Sequence, residues 1–311
     1  MNKNIISTVI AVTLGFSAVI PVHAAYNIET DPVNKPWEKP TLVYGGGLSD
    51  AQVEEVNSIF KITNLDTVVR QVVVGKDADK YLNRVDIDTS SLISSVRVEK
   101  KNEGNGVHVS ILTPENITLI TETQYANAAI TAGAADIDIE VVSPVPVTGE
   151  SALAGVYVGI EANGETLDPE RTEVAQQELE TVNQISQEQT ENEEFDSTSL
   201  DLAIAQIKED LAQYKEEHGE IASYEDVEAI IQKELEKYNL EDILSDEQIT
   251  QIIEFAQNYQ NSPAIDSKEV LEQLNSFTSQ AVEQVEKLQD NGFFDRVFQF
   301  FSDLWSSVSG Q

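Results

Sequence analysis

The 311-residue sequence contains no cysteine, which excludes disulfides, thiolate metal ligands, a cysteine nucleophile and the lipidated cysteine of a lipoprotein anchor. Histidine is scarce too, with three residues. His108 and His218 lie far apart in the chain, and no Gly-x-Ser-x-Gly elbow accompanies the plentiful serines. Neither a His-based triad nor a classical zinc site therefore has its parts in view, and His108 and His218 read as ordinary surface residues. Only Trp37 and Trp305 are available among tryptophans to wall a sugar groove. After the N-terminal stretch no apolar run reaches the ~20 residues needed to span a bilayer. Positive charge is the last scarcity, with 19 Lys and Arg against 55 Asp and Glu. A chain so short of cations cannot neutralise phosphates, which excludes nucleic acid as a partner and disfavours anionic lipid.

What is abundant is carboxylate, and it is unevenly placed. Up to Gly164 there are 11 basic and 20 acidic residues, and after it 8 basic and 35 acidic. Such a surface attracts basic proteins and loosely bound divalent cations, or serves solubility alone. At the start, Lys3, the apolar run Ile5 to Ile20 and the small-residue site Val22-His23-Ala24 read as a signal peptide over residues 1–24, so the chain is expected to be exported, with Ala25 as its new N-terminus. Residues 25–40 hold three prolines and little periodicity and read as an extended lead-in.

From Thr41 the pattern becomes regular. A short strand at Thr41 to Tyr44 leads through Gly45-Gly46-Gly47 to Ser49 and Gln52, spaced as a capping box in which each side chain binds the other residue's amide. Val53, Val56, Ile59 and Phe60 then mark one helix face. A glycine loop before a helix can bind phosphate, but this one lacks the Gly-Lys-Ser/Thr ending and any neighbouring cation, so it reads as a flexible connector. Val68 to Val74 is a β-branched strand, followed by a helical turn at Asp77 to Leu82. Val96 to Glu99 and Val107 to Leu112, around the turn-rich Lys100 to Gly106, predict an antiparallel hairpin. Thr121 and Gln124 form a second capping box, opening a helix of small residues (Ala126, Ala128, Ala129, Ala132) that Gly133 closes. Asp136 to Val142 alternates as a strand, and Ser143 to Pro146 turns the chain. In the next helix, up to Ile160, Gly155 and Gly159 share a face for close packing. Asp168-Pro169 starts a further helix, running to about Ile185. Together these predict an α+β domain over residues 41–185, a mixed sheet covered by helices.

Several of these residues also carry a resemblance. Asn116-Ile-Thr, Tyr125-Ala-Asn-Ala, Thr131-Ala-Gly, the Pro144-Val-Pro-Val-Thr-Gly turn and Ala152-Leu-Ala-Gly are similar to the core of the YpuA-like proteins, secreted proteins of Gram-positive bacteria grouped as a domain of unknown function. The resemblance runs from about Gly47 to Leu179 and is looser beyond. It implies a compartment and domain limits; it carries no catalytic residues across.

Ser186 to Ser199 loses its apolar residues apart from Phe195 and reads as a linker. Beyond it, residues 200–311 are expected to form an acidic all-helical bundle. Its stripes are Leu200, Ile204, Ile207, Leu211 and Tyr214; then Val227, Ile230, Ile231, Leu235 and Tyr238; then Ile249, Ile252, Ile253 and Ala256; then Val270, Leu274, Phe277, Ala281, Val285 and Leu288. Leu48-Ser-Asp-Ala-Gln52 and Leu244-Ser-Asp-Glu-Gln248 are nearly one peptide, which capping chemistry alone explains.

Three groups remain as candidates for chemistry. Asp136, Asp138 and Glu140 are expected on one side of a strand, about 6 to 7 Å per step. They suit a solvated face, or a calcium ion if neighbours supply further oxygens. Two carboxylates about 5 or 6.5 to 9.5 Å apart also cleave glycosidic bonds, although nothing singles out a pair. The third is the C-terminal segment, where Phe294, Val297, Phe298, Phe301, Leu304, Trp305 and Val308 fall on one helix face. That face can pack on the protein's own helices, in a partner's groove or at a lipid interface. Its single Arg296 against Asp295 and Asp303 disfavours lipid. The expected protein is thus an exported, non-enzymatic binding or interaction component of the cell envelope with no cofactor. A carboxylate-dependent wall hydrolase is the rival reading.

Overall fold

A computed structural model describes residues 37–289, and of 280–289 the backbone alone. A five-stranded mixed sheet lies at its centre, in the order β2-β1-β3-β5-β4. The strands are β1 (Thr41–Gly45), β2 (Val69–Val73), β3 (Ser95–Lys100), β4 (Val107–Ile111) and β5 (Ile137–Val142). β1 runs parallel to β2 and β4 parallel to β5, while β3 is antiparallel to both β1 and β5.

The expected β3–β4 hairpin is therefore corrected. The two strands do run in opposite directions, but β5 lies between them and pairs with both. The loop that was to close the hairpin instead wraps the residue leading into β5. Lys101 N donates to Asp136 O at 2.7 Å, and Gly106 N donates to Asp136 Oδ1 at 2.9 Å. β5 carries buried Ile137, Ile139, Val141 and Val142, whereas β4 at the edge is wet on His108 and Ser110. The more apolar strand takes the interior place, where both of its edges are paired.

Strand alternation divides the layers. Leu42 and Tyr44 of β1 pack with Val53 and Val56 of α1 (Asp50–Ile59) on one face. Val43, Val96 and Val98 look the other way, toward α4 (Glu150–Ala162). There the small-residue face acts as the spacing predicts. A Cβ on Gly155 would lie 2.8 Å from Val96 Cγ1, and one on Gly159 2.6 Å from Val98 Cγ2. α2 (Gly75–Tyr81) packs on α4 as well, and beside α4, α3 (Glu122–Ala132) covers β4, opened by the Thr121/Gln124 capping box and closed by Gly133 at φ 107°. The Gly45-Gly46-Gly47 segment is not a flexible connector. Cβ atoms there would come within 2.3 to 2.5 Å of Leu92 O, Val73 O and Ser90 O, so the glycines let neighbouring backbone lie directly against the loop.

Behind α3 lies the helical part: α5 (Pro169–Glu188), α6 (Ser197–His218), α7 (Tyr224–Lys237), α8 (Asp246–Asn261) and α9 (Lys268–Gln289). Asp168 caps α5 by accepting from Glu170 N and Arg171 N, and Ser245 and Gln248 form the expected capping box of α8. The Leu200, Val227 and Ile252 stripes meet in one core. The α9 stripe does not join it: Val270 and Leu274 enter the core under the sheet. α5 serves both, with Ala175 and Leu179 in the sheet core and Val182 and Ile185 in the bundle core. Of the segment read as a linker, Ser186 to Glu188 finishes α5 and Ser197 to Ser199 begins α6.

Candidate functional site

The three acidic residues predicted on one strand face do not form a row. Asp136 precedes β5 with φ 49°, buried, its carboxylate bound to Gly106 N. Asp138 and Glu140 do share a face, but each meets a cation from β3 or the loop after it. Lys101 Nζ is 3.0 Å from Asp138 Oδ2, and Arg97 Nη2 is 2.6 Å from Glu140 Oε2. Arg97 stands directly opposite Glu140 in the sheet register, as cross-strand charge pairs do. The neighbours of these carboxylates are thus N–H donors, whereas calcium requires six to eight oxygens. Among the described residues, no group of three or more His, Asp or Glu comes together as metal ligands. Asp86 and Asp88, which alternate with Ile87 in the sequence, form no such row either: Asp86 has φ 60°, and Asp88 caps a 3-10 turn at Thr89–Ser91.

Among the described residues, neither His108 nor His218 joins a catalytic group. His108 Nε2 is 2.7 Å from Asn105 O, and His218 stacks on Tyr214 with centroids 4.1 Å apart. The amides of the glycine loop are consumed as well. Gly45 N donates to Ser95 Oγ, Gly46 N to Val73 O and Gly47 N to Leu92 O, which leaves no nest for an anion. Phe294, Val297, Phe298, Phe301, Leu304, Trp305 and Val308 lie outside the described residues.

The unusual chemistry lies elsewhere, where α5 and α6 meet the back of α3. Lys208 of α6 is 0% exposed and Glu178 of α5 is 3% exposed, with Nζ and Oε1 2.7 Å apart. Lys208 also donates to Thr131 Oγ1 at 3.0 Å, and Thr131 Oγ1 donates to Glu178 Oε2 at 2.9 Å. Asn127 Oδ1 takes a longer bond from Lys208, and Asn127 Nδ2 donates to Asp201 O. Two turns before Lys208, Asp201 is buried against the α3 capping box. Thr121 Oγ1 donates to its Oδ2 at 2.7 Å, and Gln124 Nε2 to its Oδ1 at 3.1 Å. Burial pushes the Asp201 carboxyl up to about 7; the bonds from Thr121 and Gln124 oppose this, and the negative fields of Asp196 and Glu178 add to it. Burial lowers Lys208 from the usual lysine range, against the attraction of Glu178.

A cleft of about 380 Å³ opens beside this network, lined by Thr121, Gln124, Gln189, Asn192, Phe195 and Asp196 among others. Its one carboxylate, Asp196, is committed as the cap of α6, accepting from Thr198 N and Ser199 N. A second groove, between α7 and α8, holds about 270 Å³ and is lined by Glu228, Glu241 and Asp246 over Ile231, Leu235 and Ile253. A third, beside Lys215 and Asp266, has those two side chains paired at 2.6 Å. None of the three joins two facing carboxylates to an aromatic wall.

The buried network is masked in the sequence because each member sits beside a conventional apolar stripe. The signal was present in α6. Asp201, Ala205, Lys208 and Ala212 are spaced i, i+4, i+7 and i+11, a second face next to Leu200, Ile204, Ile207 and Leu211, and all four are buried. Small residues between two charges mark a face pressed against another helix rather than a wet one.

Comparison with known proteins extends the resemblance over both parts of the fold. The uncharacterized protein YpuA of Bacillus subtilis (strain 168) is 26% identical over 271 residues, covering 86% of this chain and 87% of that protein. No solved structure matches significantly. The family model described as "Protein of unknown function (DUF1002)" matches residues 44–277, from β1 into α9 and well past Leu179. The sheet, its covering helices and the bundle that shares their buried charges are thus one family unit, and the chain belongs to the DUF1002 family.

Proposed function

We propose that this protein is exported to the envelope of a Gram-positive bacterium and works there as a binding or interaction module rather than as an enzyme. The observation that carries this reading is where the ionisable side chains spend their bonds. Glu178, Asp201 and Lys208 tie helices together, Asp196 caps one, and Asp138 and Glu140 pair across the sheet. A general acid or base must instead face a substrate. Export is supported by the n-region, h-region and Val22-His23-Ala24 pattern at the N-terminus. The acidic surface after Gly164 favours a basic protein partner, with divalent cations held by screening.

The test is to express the full chain in a Gram-positive host and sequence the N-terminus of the protein in cytosol, wall and medium. A chain beginning at Ala25 outside the cell supports the reading; intact chain confined to the cytosol overturns it. In parallel, the purified protein is added to cell-wall suspensions. Constant turbidity is expected, and lysis abolished by a single carboxylate substitution would move the assignment to a hydrolase.

A further inference from the structure

Within the buried network Asp201 is the odd member. Lys208 and Glu178 neutralise each other, whereas the donors to the Asp201 carboxylate are neutral, the hydroxyl of Thr121 and the amide of Gln124. The side chain belongs to a residue only 1% exposed. Removing a carboxylate from water is costly, and two neutral hydrogen bonds do not replace its hydration shell. The surrounding charges do not help. Glu178 from α5 and Asp196 at the start of α6 are both negative toward it, and Lys208 on the same helix spends its ammonium on Glu178, Thr131 and Asn127. From α3 it meets only Thr121, Gln124 and Asn127, all uncharged.

Two features make this carboxyl a device rather than a defect. It joins the first turn of α3, in the layer on the sheet, to the second turn of α6, in the bundle, from residues 80 apart in the chain. Both of its donors also line the open cleft of about 380 Å³, which brings solvent to the next atom along. Thr121 Oγ1 already accepts from Gln124 N and retains capacity to accept once more. A protonated Asp201 can donate to it while the Thr121 hydroxyl turns to the cleft.

We propose that Asp201 is a proton-operated latch between the N-terminal turns of α3 and α6, closed when the carboxyl carries its proton and loosened when the proton leaves. Burial sets the operating range near neutrality, since the carboxyl is pushed up to about 7. The sign follows from linkage. Between the unfolded value, about 4, and the folded one, the native chain holds a proton that the unfolded chain has lost, so stability falls as pH rises. The loss is complete above the folded value. The latch does not depend on the function proposed above.

The experiment follows thermal unfolding of the full chain and of Asp201→Asn from pH 5 to 8, with hydrogen exchange of the two helix starts. The melting temperature of wild type relative to the variant is expected to drop by several degrees between pH 5 and about 7, with the slope of one proton, and to level off above. Amides of residues 122–127 and 198–203, corrected for intrinsic rates, should lose protection at pH 8 in wild type and keep it in the variant. Parallel melting curves with unchanged protection overturn the latch. Should Asp201→Asn fail to fold, carboxyl carbon NMR of wild type decides: titration near neutrality supports the proposal, and an Asp201 ionised down to pH 4 overturns it.

Discussion

Lys208 of α6 and Glu178 of α5 meet at 2.7 Å with both side chains withdrawn from water. Attraction between two buried charges roughly offsets their desolvation when the remaining atoms are satisfied, and here Thr131 closes the ring by accepting from Lys208 and donating to Glu178. The pair therefore contributes more to fixing which helices meet, and in what register, than to net stability. Breaking one side is another matter.

Lys208→Met is expected to cost about 3 to 5 kcal/mol, because it leaves the Glu178 carboxylate buried without its cation. The double variant Lys208→Met/Glu178→Leu should recover most of that loss. Urea unfolding of wild type, both single variants and the double variant supplies the cycle. A double variant as unstable as the worse single one would show that the pair itself carries stability.

Close approach makes different demands on two glycines. Gly159→Ala gains up to about 1 kcal/mol of helix propensity but drives a methyl to 2.6 Å from Val98 Cγ2, an overpacking that costs about 1 to 3 kcal/mol. A net loss of about 1 kcal/mol is expected. Gly47→Ala gains no helix and places its methyl 2.3 Å from Ser90 O, a backbone atom that cannot rotate away. It should be the more damaging of the two in calorimetry. The reverse order would mean that the segment carrying Ser90 yields readily.

Limited proteolysis should cut first between Thr190 and Glu194, where the chain between α5 and α6 is mostly exposed and carries few apolar residues. The two pieces are expected to elute together on gel filtration, since the bonds from Thr121 to Asp201 and from Lys208 to Glu178 both bridge the cut. Fragments that part spontaneously would show that these buried bonds do not hold the halves together.

With 35 acidic against 8 basic residues after Gly164, calcium should stabilise the protein by screening, and sodium chloride at higher concentration should give the same rise in melting temperature. A saturable micromolar calcium effect that survives high salt would contradict this and direct mutagenesis to Asp136, Asp138 and Glu140.

The sequence alone determined whatever depends on neighbours within about one helical turn or one strand step. Ser49 with Gln52, Thr121 with Gln124 and Ser245 with Gln248 mark helix starts because each pair satisfies amides three residues apart. The alternation of Ile137, Ile139 and Val141 marks a strand, and Gly155 with Gly159 a close-packing face, for equally local reasons. Only tertiary structure decided that β5 separates β3 from β4, because either neighbour satisfies the same alternating pattern. It likewise decided that Val270 and Leu274 join the sheet core, since a helical stripe states that it must be covered but not by what. The candidate site was least legible of all. A carboxylate in a sequence is by default a wet residue, and the exceptions depend on partners distant in the chain, 30 residues for Lys208 with Glu178 and 80 for Thr121 with Asp201. Those separations are closed only when the helices pack, and the same packing removes the water that would otherwise keep Asp201 charged.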